Sequence, residues 1–222
     1  MRVLGELFYR RMLILEGTVA DPPPRFPTDE ELEFAPLDPA DLDDYLSFRP
    51  DQAKAEIEGR LARGQVCFAA RERGRIVQAC WFVPPPGAWI DYLGWELPLA
   101  PHEAYIYDMW AIPTARGRYL FRAQMSEMFA YFSDHAQRRR WFPRHYRPPD
   151  APYGFVAAFH VENRIWALFA RSGLRPREIV GFVGVGPLRW RFRRPAPNEE
   201  QLRRAARRTA KRRRRRQRAT CA

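Results

Sequence analysis

The residues best suited to chemistry lie in one run, Glu103-Ala-Tyr-Ile-Tyr107-Asp108-Met-Trp110-Ala-Ile112. Its aromatic and branched residues predict a buried strand over 104–112. A charge in the middle of such a strand costs stability unless it is paired or used. Asp108 is flanked by Tyr107, Met109 and Trp110, surroundings that raise a carboxyl pKa and suit a general base. Alternation puts Asp108 on the face of Ala104, Ile106, Trp110 and Ile112, and Glu103, the other carboxylate candidate for a base on this strand, on the opposite face. The plainer reading of Asp108 is a satisfied buried carboxylate. His160, at the end of a later apolar run, is a second candidate base. A lone His there is more often a hydrogen-bonded structural residue.

The segment after the strand could hold an anion. Pro113 cannot donate to a ladder and stops the strand. Gly117 lets the backbone turn. From Tyr119 onward Leu120, Ala123, Met128, Tyr131 and Phe132 fall at helical spacing. A strand feeding a helix N-terminus leaves several N–H groups pointing one way, a site for phosphate.

These residues resemble the pyrophosphate loop of the GCN5-related N-acetyltransferases. That loop reads Arg or Gln, two residues, Gly, one residue, then Gly or Ala. Arg116 fits the first position; Tyr119 and Phe121 stand where the two glycines belong. The resemblance implies that Arg116, Gly117, Arg118, Tyr119, Leu120 and Phe121 bind the diphosphate. It also implies that backbone N–H groups of Trp110, Ala111 and Ile112 hold the acyl carbonyl and the pantetheine arm. A second likeness lies at Glu162 to Leu174. There a strand, Asn163, a short helix and Gly173-Leu174 match the closing motif of that family, one residue shorter and with Leu174 for Phe. The family's general acid is a Tyr four residues before that glycine. Phe169 stands there and has no proton to give, so the resemblance leaves that role to Tyr153, Tyr107 or water.

The elements that must position these groups follow from the rest of the pattern. Leu7–Val19 reads as a strand, and Asp21–Pro27 as an extended proline-rich connector. Asp38 caps a helix with Pro39 at its first position. A second helix spans Asp51 to about Arg63 and stops at Gly64. Two strands, Gln65–Arg71 and Arg75–Val83, flank a Glu72-Arg73-Gly74 turn. Trp89–Leu99 is aromatic and broken by Gly94 and Pro98; Trp89, Tyr92 and Trp95 read as packing rather than an acceptor pocket. His135–Pro152 is basic and proline-rich, and reads as a solvated helix end rather than a nucleic-acid site. Strand Tyr153–Val161, the short helix, and strands Glu178–Val185 and Leu188–Phe192 around Gly186-Pro187 complete the chain.

The order expected is helix, helix, three strands, helix, strand, helix and two strands, from about Phe34 to Phe192. It is the acetyltransferase order. The fold expected is α/β, with a mixed, mostly antiparallel central sheet flanked by helices. The domain reading is an arm over 1–35, an acetyltransferase-like domain over 36–194 and a polybasic tail over 195–222.

With 222 residues, 46% hydrophobic, the chain can bury a core. Residues 187–222 hold 15 Lys plus Arg against 2 Glu, so the formal charge of +12 belongs to the tail and the body is near neutral. Self-repulsion predicts that the tail, with its Lys211–Arg216 run, is disordered in isolation. Such a run could bind RNA, DNA, anionic lipid or an acidic carrier protein. Cys67, Cys80 and Cys221 show neither metal spacing nor a disulfide framework, and read as free thiols in a reducing compartment. No apolar run reaches the ~20 residues that span a bilayer. A cytoplasmic protein is expected, with a dimer as one arrangement the opening strand would allow.

The function expected is acyl transfer from acetyl-CoA or another acyl-CoA to an amine, on a small molecule or a protein. A carrier-protein thioester is a variant donor, since it lacks the nucleotide and tolerates a crowded loop. The alternative is a family relative without activity, binding nucleic acid or a protein through its tail.

Overall fold

A computed structural model describes residues 8–26, 31–116, 120–134, 136–137, 140, 153–161, 165–185, 188–198, 200–202 and 204. Gly117, Arg118, Tyr119 and Asn163 lie outside them. So do the Gly186-Pro187 turn, nearly all of the basic stretch 135–152 and the arginine-rich end of the tail.

The architecture is mixed α/β, with a mostly antiparallel sheet flanked by helices, as the sequence predicts. The chain groups into two compact units, residues 17–90 with 96–156, and residues 1–16 with 91–95 and 157–222.

In the larger unit the strand order is β7-β4-β3-β2: β2 (Leu32–Pro36), β3 (Val66–Glu72), β4 (Arg75–Val83) and β7 (Glu103–Ala111), each pair antiparallel. Beside β7 starts β8 (Gly154–His160). The Gly154 N–H donates to the His102 carbonyl at 2.7 Å, so β7 and β8 set out from the same end and run parallel. Between them passes α3 (Leu120–Ser133), the crossover a parallel pair needs. Arg73 and Gly74, at φ of 50° and 76°, make the tight β3–β4 turn. The acidic segment before Phe34 was not legible as a strand; it forms β2 at the sheet edge, where polar residues are tolerated.

Alternation on β3 and β4 sends side chains to two layers. One face receives Cys67, Ala69, Ala79 and Trp81 against α1 (Leu42–Phe48) and α2 (Lys54–Ala62). Here Trp81 donates its indole N–H to the Tyr45 hydroxyl at 2.7 Å. Asp38 caps the turn ahead of α1 by accepting from the Ala40 N–H, as its spacing predicts. The other face packs Phe68 and Phe82 on Phe132 and Phe155. Two buried amides, Gln78 and Gln124, hydrogen-bond there, and Gln124 also donates to the Phe68 carbonyl at 2.7 Å. This fixes the register of α3 on the sheet. The proline-rich connector lies along the same helix: Phe26 donates its N–H to Ser126 Oγ, and Arg122 sits over the Phe26 ring. The Trp89–Leu99 segment forms a hairpin of β5 (Gly87–Ile90) and β6 (Trp95–Pro98).

In the smaller unit the order is β10-β9-β1, with the later half of β8 beside β1. The strands are β1 (Tyr9–Thr18), β9 (Arg175–Val185) and β10 (Leu188–Pro195), and β9 runs antiparallel to both β1 and β10. The short helix α4 (Trp166–Ala170) ends at Gly173, whose φ of 96° suits the left-handed closing residue. Among the described residues no helix is long and apolar enough to cross a membrane.

Candidate active site

The regular alternation expected along β7 breaks at Asp108. Trp81 pairs with Tyr107 and Ala79 with Trp110, so Asp108 and Met109 together oppose Cys80. This is a β-bulge, and Asp108 adopts φ of 44°, a conformation Asp tolerates better than most residues. The extra residue flips the parity of the strand. Trp110 and Ile112 therefore join Tyr107 on the α1/α2 face, where they pack against that core. The expected grouping of Asp108 with Ala104, Ile106, Trp110 and Ile112 on one face is corrected accordingly.

The surroundings of Asp108 also differ from those its sequence neighbours imply. Arg49 Nη1 donates to Asp108 Oδ1 at 3.0 Å and Arg60 Nη1 to Oδ2 at 2.7 Å. Both carboxylate oxygens are thus taken by guanidiniums, and the plainer reading of Asp108 is the one the geometry favours. Arg49 is only 5% exposed and also grips Asp51 through two bonds of 2.9 and 3.0 Å. The hydrogen bond to Asp51, ahead of the one to Asp108, holds the Arg49 guanidinium above its usual pKa. In return the bond from Arg49 holds Asp51 down at about 2. Arg60 reaches Glu56 at 2.7 Å and Gln52 at 3.3 Å. Burial opposes its charge, but the bond to Asp108 and the nearby Glu56 leave its pKa raised.

Aromatic rings floor this network. Arg60 lies over the Trp81 and Tyr107 rings, and Arg49 over Trp110. Phe48 meets Trp110 edge-on at 4.7 Å. Tyr107 donates its hydroxyl to Gln65, and burial, before any charge, pushes its pKa up, so the phenol stays protonated.

The C-terminal end of β7 is where the resemblance places the thioester. Ile112 donates its N–H to the Val77 carbonyl at 3.0 Å, which commits that amide to β4. In an antiparallel ladder bonded and non-bonded pairs alternate. Trp110, opposite Ala79, is therefore committed as well, and the Ala111 N–H, opposite Gln78, faces away from β4. Pro113–Ala115 then make one 3-10 turn, anchored by buried Ala115 beside Leu120, Ala70 and Val77. Arg116 folds back: its Nε donates to the Ala111 carbonyl at 3.1 Å and its guanidinium sits over Trp110. Trp110 thus lies under both Arg116 and Arg49. Leu120 is buried and Phe121 half-buried on the first turn of α3.

Glu103 and Tyr153 are not brought to this end. Glu103 is the first residue of β7, roughly 25 Å along the strand from Ala111. It accepts from the Ala100 N–H at 2.9 Å, closing its own turn. Tyr153, just before Gly154, is at that same far end. His160 belongs to the smaller unit and lies against the Tyr92 ring at 4.0 Å. Phe169 packs on Phe159 at 4.4 Å, an apolar neighbour for an apolar residue. Arg49, Arg60 and Gln65 were missed in the sequence. Glu56 and Arg60 at helical i,i+4 spacing carry a signal for their own pair. Nothing local ties Arg49 or Arg60 to a residue 59 or 48 positions on.

No family model matches the sequence, and no curated protein does. Among solved structures, a functionally unknown conserved protein from Staphylococcus epidermidis ATCC 12228 is similar at a TM-score of 0.50 and 9% identity, over 81% of this chain and 62% of its own. A GCN5-related N-acetyltransferase from Sphaerobacter thermophilus is similar at 0.49 and 15%, over 89% and 56%. One from Kribbella flavida is similar at 0.48 and 13%, over 83% and 63%. This chain thus spans about three fifths of the length of each. At such identities likeness bears on fold alone, and any function must be argued from the chain's own residues.

Proposed function

We propose that this chain, whose fold is of the GCN5-related N-acetyltransferase type, is an acyl-CoA-dependent N-acyltransferase. The observation that carries the reading is the end of β7: a bulge, an amide at Ala111 turned away from β4, and Arg116 exposed just beyond. Those features fit the donor, because an N–H turned from β4 can meet a carbonyl or pantetheine amide and an exposed guanidinium suits a phosphate. Acyl-CoA supplies the activated thioester.

The chain's residues divide the remaining work. The Ala111 N–H polarises the acyl carbonyl, and Arg116 swings from Trp110 to the diphosphate. Asp51, Glu56 and Asp108 give the α1/α2 side three carboxylates against two guanidiniums, a field that favours a cationic amine. Asp108 acts as a positioning residue for Arg49 and Arg60, and the ammonium proton passes to water at the exposed Asp51–Glu56 rim. Burial keeps Tyr107 protonated and makes its phenol a weaker acid, so the departing thiolate takes its proton from water.

Titration calorimetry of the full chain with acetyl-CoA tests this. Micromolar binding is expected, weakened at least ten-fold in Arg116→Glu. Binding by neither acetyl-CoA nor free CoA overturns the acyl-CoA reading. Uptake of a phosphopantetheinylated acidic carrier in that case moves the donor to a carrier thioester.

A further inference from the structure

We propose that one face of the β10-β9-β1 sheet in the smaller unit is a stacking platform for single-stranded nucleic acid. The register puts Trp190, Val183 and Tyr9 in one cross-strand row, and Phe192, Gly181 and Arg11 in the next. Directly opposed residues share a face, so these six line one surface. It is open: Trp190 is 81% exposed and Leu188, two residues along the same face, 83%.

Gly181 is what turns this row into a platform. A Cβ there would run into the Arg10 carbonyl and lie 2.7 Å from Phe192 Cζ. Without it, the Phe192 ring reaches across β9 and lies beside Tyr9, with centroids 5.9 Å apart and planes 16° from parallel. A guanidinium covers each of these rings, Arg194 over Phe192 and Arg11 over Tyr9. Flat rings beside cations are what a base and its phosphate need.

Charge selects the occupant. Arg194 of β10 and Arg11 of β1 share the platform face, Arg189, Arg191 and Arg193 alternate to the opposite face of a strand that carries no acid, and the basic segment 195–222 follows directly. A second copy pairing through this edge would bring eight arginines together, which repel. Of the 15 basic residues in 187–222, 14 are Arg, the side chain that both forks onto phosphate and stacks on bases. The inference does not depend on the transferase reading.

Fluorescence anisotropy of the full chain with a labelled 20-nucleotide single-stranded RNA tests it, at several salt concentrations. Trp190→Ala and Phe192→Ala should each weaken binding roughly ten-fold. The salt slope should stay unchanged, since phosphate contacts remain. A duplex of the same sequence should bind more weakly, its bases being stacked on one another. Equal affinity of both variants and wild type, or of duplex and single strand, overturns the platform and leaves non-specific attraction by the tail. Trp190 projects into solvent, so its variant reads out binding without a folding defect. Binding to vesicles containing phosphatidylserine that Trp190→Ala abolishes, with RNA binding untouched, assigns the face to a membrane and overturns the proposal.

Discussion

The network around Asp108 and the open face of β10 are made of the same materials, arginines laid over Trp, Tyr and Phe rings. They differ in whether carboxylates close over the guanidiniums. Arg49 and Arg60 are enclosed, each shared between Asp108 and a second acid. On β10, among the described residues, Arg193 alone pairs with an acid, Glu178, while Trp190 projects into solvent. Enclosure makes cation and ring part of the stability of the larger unit. Openness leaves them for something outside the chain.

The sharpest way to break this contrast is Asp108→Asn. It leaves two enclosed guanidiniums facing each other with one charge fewer between them. A loss of about 3 kcal/mol is expected in urea unfolding. A loss below about 0.5 kcal/mol would place the network with ordinary surface pairs.

Two tryptophans make the next comparison. Trp81→Phe removes the donor to the buried Tyr45 hydroxyl and should lower stability by about 1 kcal/mol. Trp190→Phe should change it by less than about 0.5 kcal/mol. Equal losses would mean that Trp190 is packed and not presented.

The smallest effect concerns acid. A bond from Arg49 lowers Asp51 to about 2 from 3.8, and one from Arg193 lowers Glu178 from 4.5. Each carboxyl therefore binds its proton less readily folded than unfolded. Their contribution is full above about pH 4.5 and fades as pH falls toward 2. Urea midpoints at pH 6 and pH 3 should converge partly in Glu178→Gln and further with Asp51→Asn added. An unchanged pH dependence in both would mean that neither pair acts in solution.

Much of the frame was legible because it rests on short-range rules. The strand Leu7–Val19, the Asp38 cap, the Arg73-Gly74 turn and the β7–turn–α3 run all appear at or near their expected places. Strand β2 was hidden, because an edge strand needs little apolar patterning. At the site, Tyr107, Asp108, Trp110 and Arg116 were legible as types in a pattern. Their geometry was not, since a bulge depends on the partner strand and alternation counted along β7 alone misses it.

By itself the sequence determined the order of elements, the basic surplus confined to residues 187–222, and the strand–turn–helix where a donor could sit. Propensity, turn chemistry and charge act between near neighbours, so the chain states them locally. Only the tertiary structure decided that Arg49 and Arg60 take both oxygens of Asp108, that Ala111 alone of its three amides turns from β4, and that Gly181 lets Phe192 meet Tyr9. Each depends on which residue arrives from a distant segment, and that is set when sheets pair and helices pack.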